Sequence, residues 1–237
     1  NSNSKINAMK MFRYRLVKME KIGGVIMQDT SLYLQATPFI ESKHPLIREK
    51  AGEIIRDLSS EVEKAVKLFN YVRDKCHYNM YTTTGDIEAY RASAILVKGQ
   101  GWCVQKAILL ATLCRAAGIP CGLLLVTIRN HKSPPEAVEM MQTNIFFPHM
   151  YNSIFLNGKW LKAAPTFDKE ICERAGVPVV NFDGLNDAIL PDKDLQGNPY
   201  IDYLDDYGMY PDLPWDFILE NSYRIYGDLT RHWLGTK

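Results

Sequence analysis

Gly99-Gln100-Gly101-Trp102-Cys103-Val104-Gln105-Lys106 opens the stretch that decides the fold, and Arg115-Ala116-Ala117-Gly118-Ile119-Pro120 closes it. Between them, Ala107 to Cys114 is almost wholly apolar. Gly118 suits the left-handed residue after a helix and Pro120 cannot continue one, so the spacing predicts a helix from Cys103 to Ala116. Only Gln105, Lys106, Thr112 and Arg115 are strongly polar in it, which predicts a helix buried over most of its circumference. Its first N–H groups lack intrahelical acceptors and the macrodipole is positive there. A cysteine at that end is therefore a candidate nucleophile, because a helix start favours the thiolate. The glycines ahead of it let a substrate approach the backbone.

Upstream, Leu46, Ile47, Ala51, Ile54, Ile55 and Leu58 recur at helical spacing after Pro45, predicting a first helix. Ser60-Glu61-Val62-Glu63 reads as a capping box before a second amphipathic helix that ends near Cys76-His77-Tyr78. Phe12 to Ile22 reads as a short strand broken by Gly23-Gly24, and residues 1–11 as a tag remnant or native disorder.

Downstream, Cys121 to Ile128 is a continuous apolar run suited to a strand buried on both faces. A charged loop with Pro134-Pro135 follows. The runs 149–156 and 159–164 then flank Asn157-Gly158, a strong two-residue hairpin signal. In that register Leu156 pairs with Lys159, Tyr151 with Ala164, His149 with Thr166 and Phe147 with Asp168. Asp168 then lies on the face of His149, diagonal to it and within reach of an imidazole. After Asp168 the composition turns to Asp, Gly, Pro and Tyr, which reads as a loop-rich extension ending in a short helix near Trp215 to Asn221.

The chain of 237 residues is 46% hydrophobic with a formal net charge of +1, enough apolar content for a sizeable core and no charge bias toward nucleic acid. Its five cysteines are an odd number without CxxC spacing, which fits a reduced, cytoplasmic setting. Cys76, Cys114, Cys121 and Cys172 read as inert core residues. No apolar run approaches the roughly 20 residues needed to cross a bilayer. Asp192-Lys193-Asp194-Leu195-Gln196-Gly197 has the start of a calcium loop but Tyr203 where the closing Glu is needed, and Cys76-His77 lacks partners at zinc spacing. Neither a metal nor an organic cofactor is expected.

Taken together, the stretch from Glu61 to Tyr78, Gly101-Trp102-Cys103, the Arg115-to-Pro120 signature, a histidine opening a strand and a tryptophan in the next strand resemble the transglutaminase-like superfamily. The resemblance covers roughly residues 59–168. It implies a papain-like α+β fold, with the Cys103 helix on an antiparallel sheet, Cys103 as nucleophile and His149 as its base. The family's usual Asp before Pro-Thr is Ala164 here, and Asp168 is the substitute that the hairpin register offers. Gln100, Trp102 and Tyr78 are candidates for oxyanion or substrate binding, Trp102 as a cleft wall. The expected organisation is an N-terminal strand and helix over 12–58, a catalytic core over 59–180 and the extension over 181–237. The implied activity is acyl transfer from an amide-bearing peptide or protein through a thioester, ending in hydrolysis of a peptide or glutamine amide or in transfer to an amine. The missing carboxylate at Ala164 motivates the alternative of an impaired domain kept as a peptide-binding module.

Overall fold

The computed structural model describes residues 19–22 and 25–234, and side chains from Asp29 onward apart from His232. Met19–Ile22 (β1) and Val25–Gln28 (β2) pair as an antiparallel hairpin. The rest of the expected 12–22 strand, and its Gly23-Gly24 break, lie outside the described residues. Pro45–Ile54 (α1) starts on its proline, and Glu61–Lys75 (α2) is capped by Ser60, whose hydroxyl accepts from the Glu63 N–H at 3.5 Å. Then come His77–Tyr78 (β3), Ala92–Lys98 (α3), Gln100–Gly101 (β4) and Cys103–Ala116 (α4). Cys121–Asn130 (β5), Pro135–Met141 (α5), Ile145–Leu156 (β6), Lys159–Ala163 (β7) and Lys169–Ala175 (α6) follow. Ile201–Tyr210 (β8), Trp215–Tyr226 (α7) and Leu229–Leu234 (α8) complete the described chain.

The outcome is the expected α+β arrangement. Helix α4 spans its predicted residues, and every side chain from Cys103 to Arg115 is buried. It packs on β5 and β6 along one side and on α1, α2 and α3 along the other. Its polar residues are absorbed by backbone acceptors, as buried polar groups require. Arg115 donates to the carbonyls of Cys121, Gln35 and Pro211, which ties the end of the helix to the strand that follows and to two distant loops. Lys106 is fully buried and donates to the Arg73 and Cys76 carbonyls at the open end of α2. Burial pushes its ammonium pKa down to about 8.

The main sheet is antiparallel in the order β7-β6-β5-β8. Strand β5 is interior to it, as its unbroken apolar run predicts. The Asn157-Gly158 turn puts both residues at positive φ, 51° and 79°, the two-residue geometry whose twist matches a hairpin. The predicted register holds from Leu156↔Lys159 to Asn152↔Ala163 and stops there. At Ala164 the chain leaves β6, its N–H bonding to the Ala188 carbonyl at 2.8 Å, and Pro165 has no N–H with which to continue the ladder. The expected pairs of Tyr151 with Ala164, His149 with Thr166 and Phe147 with Asp168 are therefore absent.

Helices α5, α6 and α8 and strand β8 have no clear sequence signal. Helix α5 occupies the charged stretch read as a loop. Strand β8 lies among the turns of the segment after Asp168 and completes the sheet on the side of β5 opposite β6.

Candidate active site

Cys103 is the first residue of α4, so its own N–H has no acceptor within the helix. The approach is fixed from behind: Gln105 Oε1 accepts from the Trp102 N–H at 3.3 Å and from the Thr82 hydroxyl at 2.7 Å. Gly101 is required here for a reason other than substrate approach, because a Cβ on it would meet Gln105 Cβ at 2.8 Å. Beside this turn, β3 and β4 pair in parallel, Tyr78 opposite Gly101, which brings the Tyr78 ring to the site.

The Cys103 sulfur lies against the two peptide groups that flank His149. It is 3.7 Å from the Pro148 carbonyl oxygen, to which the thiol donates, and the Met150 N–H is near enough to favour its thiolate. Along β6, Asn152 faces α4, its side-chain amide donating to the Ala107 carbonyl, and strand alternation puts Met150 on the same face. His149 shares the other face with Tyr151, ring centroids 6.1 Å apart. The sulfur thus meets the backbone around His149, and no hydrogen bond joins it to the imidazole.

Both groups are electrically neutral at pH 7. Cys103 is 6% exposed and His149 3% exposed. Burial raises the thiol pKa to about 11, overriding the backbone N–H groups of Met150 and Val104 that favour the thiolate. Burial lowers the His149 pKa to about 3. The thiolate expected from a helix start is therefore not the resting state, because desolvation outweighs the helix N-terminus.

Asp168 is put to a different use from the one its register suggests. It caps α6, one carboxylate oxygen accepting from the Ile171 N–H at 3.1 Å and the other from the Tyr78 N–H at 2.9 Å. It is 4% exposed, and its charge acts on Lys106, Cys76 and Cys172 rather than on His149. Its departure follows from the break at Ala164-Pro165, which turns residue 168 into a helix cap. Gln100 is likewise engaged elsewhere: its carbonyl oxygen accepts from the Asn79 side chain at 3.0 Å, and it does not line the cavity described next.

Cys103, His149, Trp102 and Tyr78 line one cavity of about 770 Å³. Burial holds the Tyr78 phenol protonated far above the usual tyrosine range. Trp102 stands edge-on to Tyr90, which in turn packs on Trp215 of α7. Thr166, the residue after Pro165, also lines the wall, and its hydroxyl is buried without a hydrogen-bond partner, as is His149 Nε2. Much of the remaining wall comes from α5, α6, α7 and α8, with further residues from the loop after β3 and from β5 and β6. These contributors sit far from Cys103 in the chain and carry no motif. The Pro165-Thr166 pair was the one local pointer, and it drew the eye to residue 164. Among the described residues, no group of three or more His, Cys, Asp or Glu side chains is placed to hold a metal ion, and no helix is long and apolar enough to cross a membrane.

A cysteine-bearing helix start set against a histidine-bearing strand of an antiparallel sheet defines a class, and comparison with known families agrees with it. Residues 48–165 match the model of the transglutaminase-like superfamily. The chain belongs to that superfamily. Among solved structures, it is similar to a candidate cysteine protease from Cytophaga hutchinsonii (TM-score 0.46, 15% identity, 81% of this chain and 58% of the other covered). It is also similar to a candidate protease from Parabacteroides distasonis (TM-score 0.38, 14% identity, 64% and 31% covered) and to a protein named TGase (0.34, 17%, 71% and 38%). The chain thus spans between about a third and three fifths of the length of those proteins. Comparison with curated protein sequences finds no match.

Proposed function

We propose that the protein is a cysteine-dependent acyltransferase acting on amides, with Cys103 as nucleophile and His149 as the group that takes and returns its proton. The observation that carries this reading is the seat of the Cys103 sulfur at the head of α4, against the peptides on either side of His149 and on the same cavity wall. With thiol and imidazole both neutral at rest, the reaction starts from that neutral pair. The reaction requires the imidazole to turn, on substrate binding, from the face it shares with Tyr151 toward the sulfur; catalytic hydrogen bonds are commonly unformed before substrate arrives. The thiol proton passes to His149 as the sulfur attacks the carbonyl carbon. The Cys103 N–H and the Tyr78 hydroxyl, which burial keeps protonated, are the groups proposed to bind the oxyanion. Collapse of the tetrahedral adduct breaks the carbon–nitrogen bond, and the imidazolium protonates the departing amine, leaving a thioester on Cys103. Water then releases an acid, or a second amine a new amide. Orientation of His149 does not use a carboxylate in this scheme, because Asp168 is committed to Tyr78 and Ile171.

Two observations favour a second reading, a peptide-binding module without turnover: the alanine at position 164 and a thiol held near pKa 11. Incubation with a glutamine-containing peptide and a fluorescent primary amine, followed for both ammonia release and label incorporation, separates the cases. Ammonia release that vanishes in Cys103→Ala supports the enzyme, label incorporation adds amine transfer, and neither signal supports the module.

A further inference from the structure

The cavity at Cys103 is large and its wall is chemically lopsided. Its volume of about 770 Å³ falls in the range of roughly 300–1,000 Å³ that small-molecule sites span. Beyond the Cys103 end the wall is built mainly from thioethers and large rings, among them Met140 and Met141 of α5, Phe146 of β6, Trp215 and Ile218 of α7 and Trp233 of α8. Cations stand at the surface: Arg174 is exposed, and Lys132 is ion-paired to Asp194 at 2.9 Å.

Polar groups in need of partners gather around the same space. Among the described residues, the buried side-chain atoms without a hydrogen bond include His149 Nε2, Thr166 Oγ1, Thr230 Oγ1 and Trp102 Nε1, and all four residues line the cavity. The Trp102 indole N–H also acts on the Tyr90 phenol, favouring its ionised form. Buried polar atoms are rarely left unpaired, because each costs free energy that only a partner restores. His149 and Thr166 are 3% and 2% exposed and line the same cavity as Cys103. A single amide, with one carbonyl oxygen and one N–H, has the polar content this end calls for. The wall beyond it is mostly apolar, with the cations Lys132 and Arg174 at its exposed rim.

We infer that the substrate carries a long, apolar acyl group, seated against Met140, Met141, Phe146 and Trp233, with its amide between Cys103, His149 and Thr166. This inference rests on the acyl-transfer reading above. The acyl half is the part that remains on the sulfur after the amine departs, so it is the half the cavity must hold through the life of the thioester. A fatty chain and a peptide with large apolar side chains share this chemistry.

Alkyl chloromethyl ketones test it without requiring turnover. The sulfur displaces chloride, a carbon–sulfur bond forms as the carbon–chlorine bond breaks, and the thiol proton leaves to His149 or solvent. Methyl, pentyl and nonyl ketones and a leucyl-phenylalanyl ketone would be compared on the full protein, with modification mapped to Cys103 by mass spectrometry and rates normalised to glutathione. Burial of each added methylene is expected to raise the rate about fourfold, so pentyl exceeds methyl by on the order of a hundredfold. Whichever of the nonyl and peptidyl reagents reacts faster identifies the source of the apolar group. Met140→Asp, at a position 37% exposed and tolerant of change, is expected to cut the pentyl-to-methyl ratio about tenfold by placing a carboxylate in the wall. A ratio within twofold of one across the series would overturn the inference while leaving the nucleophile standing. Failure of every ketone to modify Cys103 would count against the nucleophile and remove the inference with it.

Discussion

Replacing Asp168 by Asn separates a structural carboxylate from a catalytic one. In the structure the two carboxylate oxygens accept from two backbone N–H groups, Tyr78 at 2.9 Å and Ile171 at 3.1 Å, and the residue is 4% exposed. An amide has one oxygen, so one of these donors loses its acceptor and faces an NH₂ group. Losing a buried hydrogen bond to a charged acceptor costs about 1.5–3 kcal/mol. Removing the charge from the first turn of α6 adds about 0.3–1 kcal/mol. The sum, about 3 kcal/mol, corresponds to a fall in Tm of about 6–12 °C for a chain of this size. The rate of Cys103 acylation by an activated ester, measured well below the transition and per folded molecule, should stay within about threefold of wild type, whereas removing the charge of a true triad carboxylate lowers turnover about 10⁴-fold. Thermal unfolding followed by circular dichroism, paired with that acylation rate, reads both quantities. An unchanged Tm together with a fall of several orders of magnitude in acylation would refute the reasoning and return Asp168 to His149.

Two further perturbations probe the strand that carries the site. Tyr226→Phe removes a hydroxyl that accepts from the Phe147 N–H at 2.6 Å and donates to the Ile145 carbonyl; one buried and one half-buried backbone group lose this partner, and a loss of about 1–3 kcal/mol is expected as a lower urea midpoint with unchanged slope. His149 gives the protein an acid sensitivity whose sign is fixed: its pKa is about 3 when folded and about 6.5 when unfolded. Below pH 6.5 the unfolded chain binds a proton that the folded one refuses, so its contribution is complete above pH 6.5 and is lost as pH falls toward 3, at about 1.4 kcal/mol per pH unit and about 5 kcal/mol in all. Denaturant titrations across that window should show the slope in wild type and its absence in His149→Phe; parallel curves would mean that His149 is not held neutral by burial.

Much of the core was legible because its signals are local. The Cys103–Ala116 helix is bounded by residues that start and stop helices, and a helix apolar on nearly every side has to be central. Asn157-Gly158 likewise set the hairpin register correctly as far as the ladder runs. The limit came at Ala164-Pro165, where a missing N–H and a competing acceptor, the Ala188 carbonyl, end the pairing. Everything inferred by extending that register, above all Asp168 beside His149, moved with it. The state of the nucleophile was misjudged for a different reason. A helix start lowers a thiol pKa, but Cys103 is 6% exposed with its sulfur seated against β6, a burial that only the tertiary packing supplies. Strand β8 escaped notice because its sequence, Ile-Asp-Tyr-Leu-Asp-Asp-Tyr-Gly-Met-Tyr, reads as polar turn residues until β5 supplies a partner.

The central claim is that Cys103 carries an acyl group with the help of His149, and the intact mass of the protein tests it most directly. After brief incubation with an activated acyl ester at pH 7 and an acid quench, the account predicts one added acyl group. Peptide mapping should place it on Cys103 and on none of Cys76, Cys114, Cys121 and Cys172, with hydroxylamine removing it. The adduct should be lost in Cys103→Ala and slowed at least a hundredfold in His149→Asn, the low end of what a positioned acid–base group contributes, about 10²–10⁴-fold. An unacylated Cys103, or one acylated as fast without His149, would contradict it.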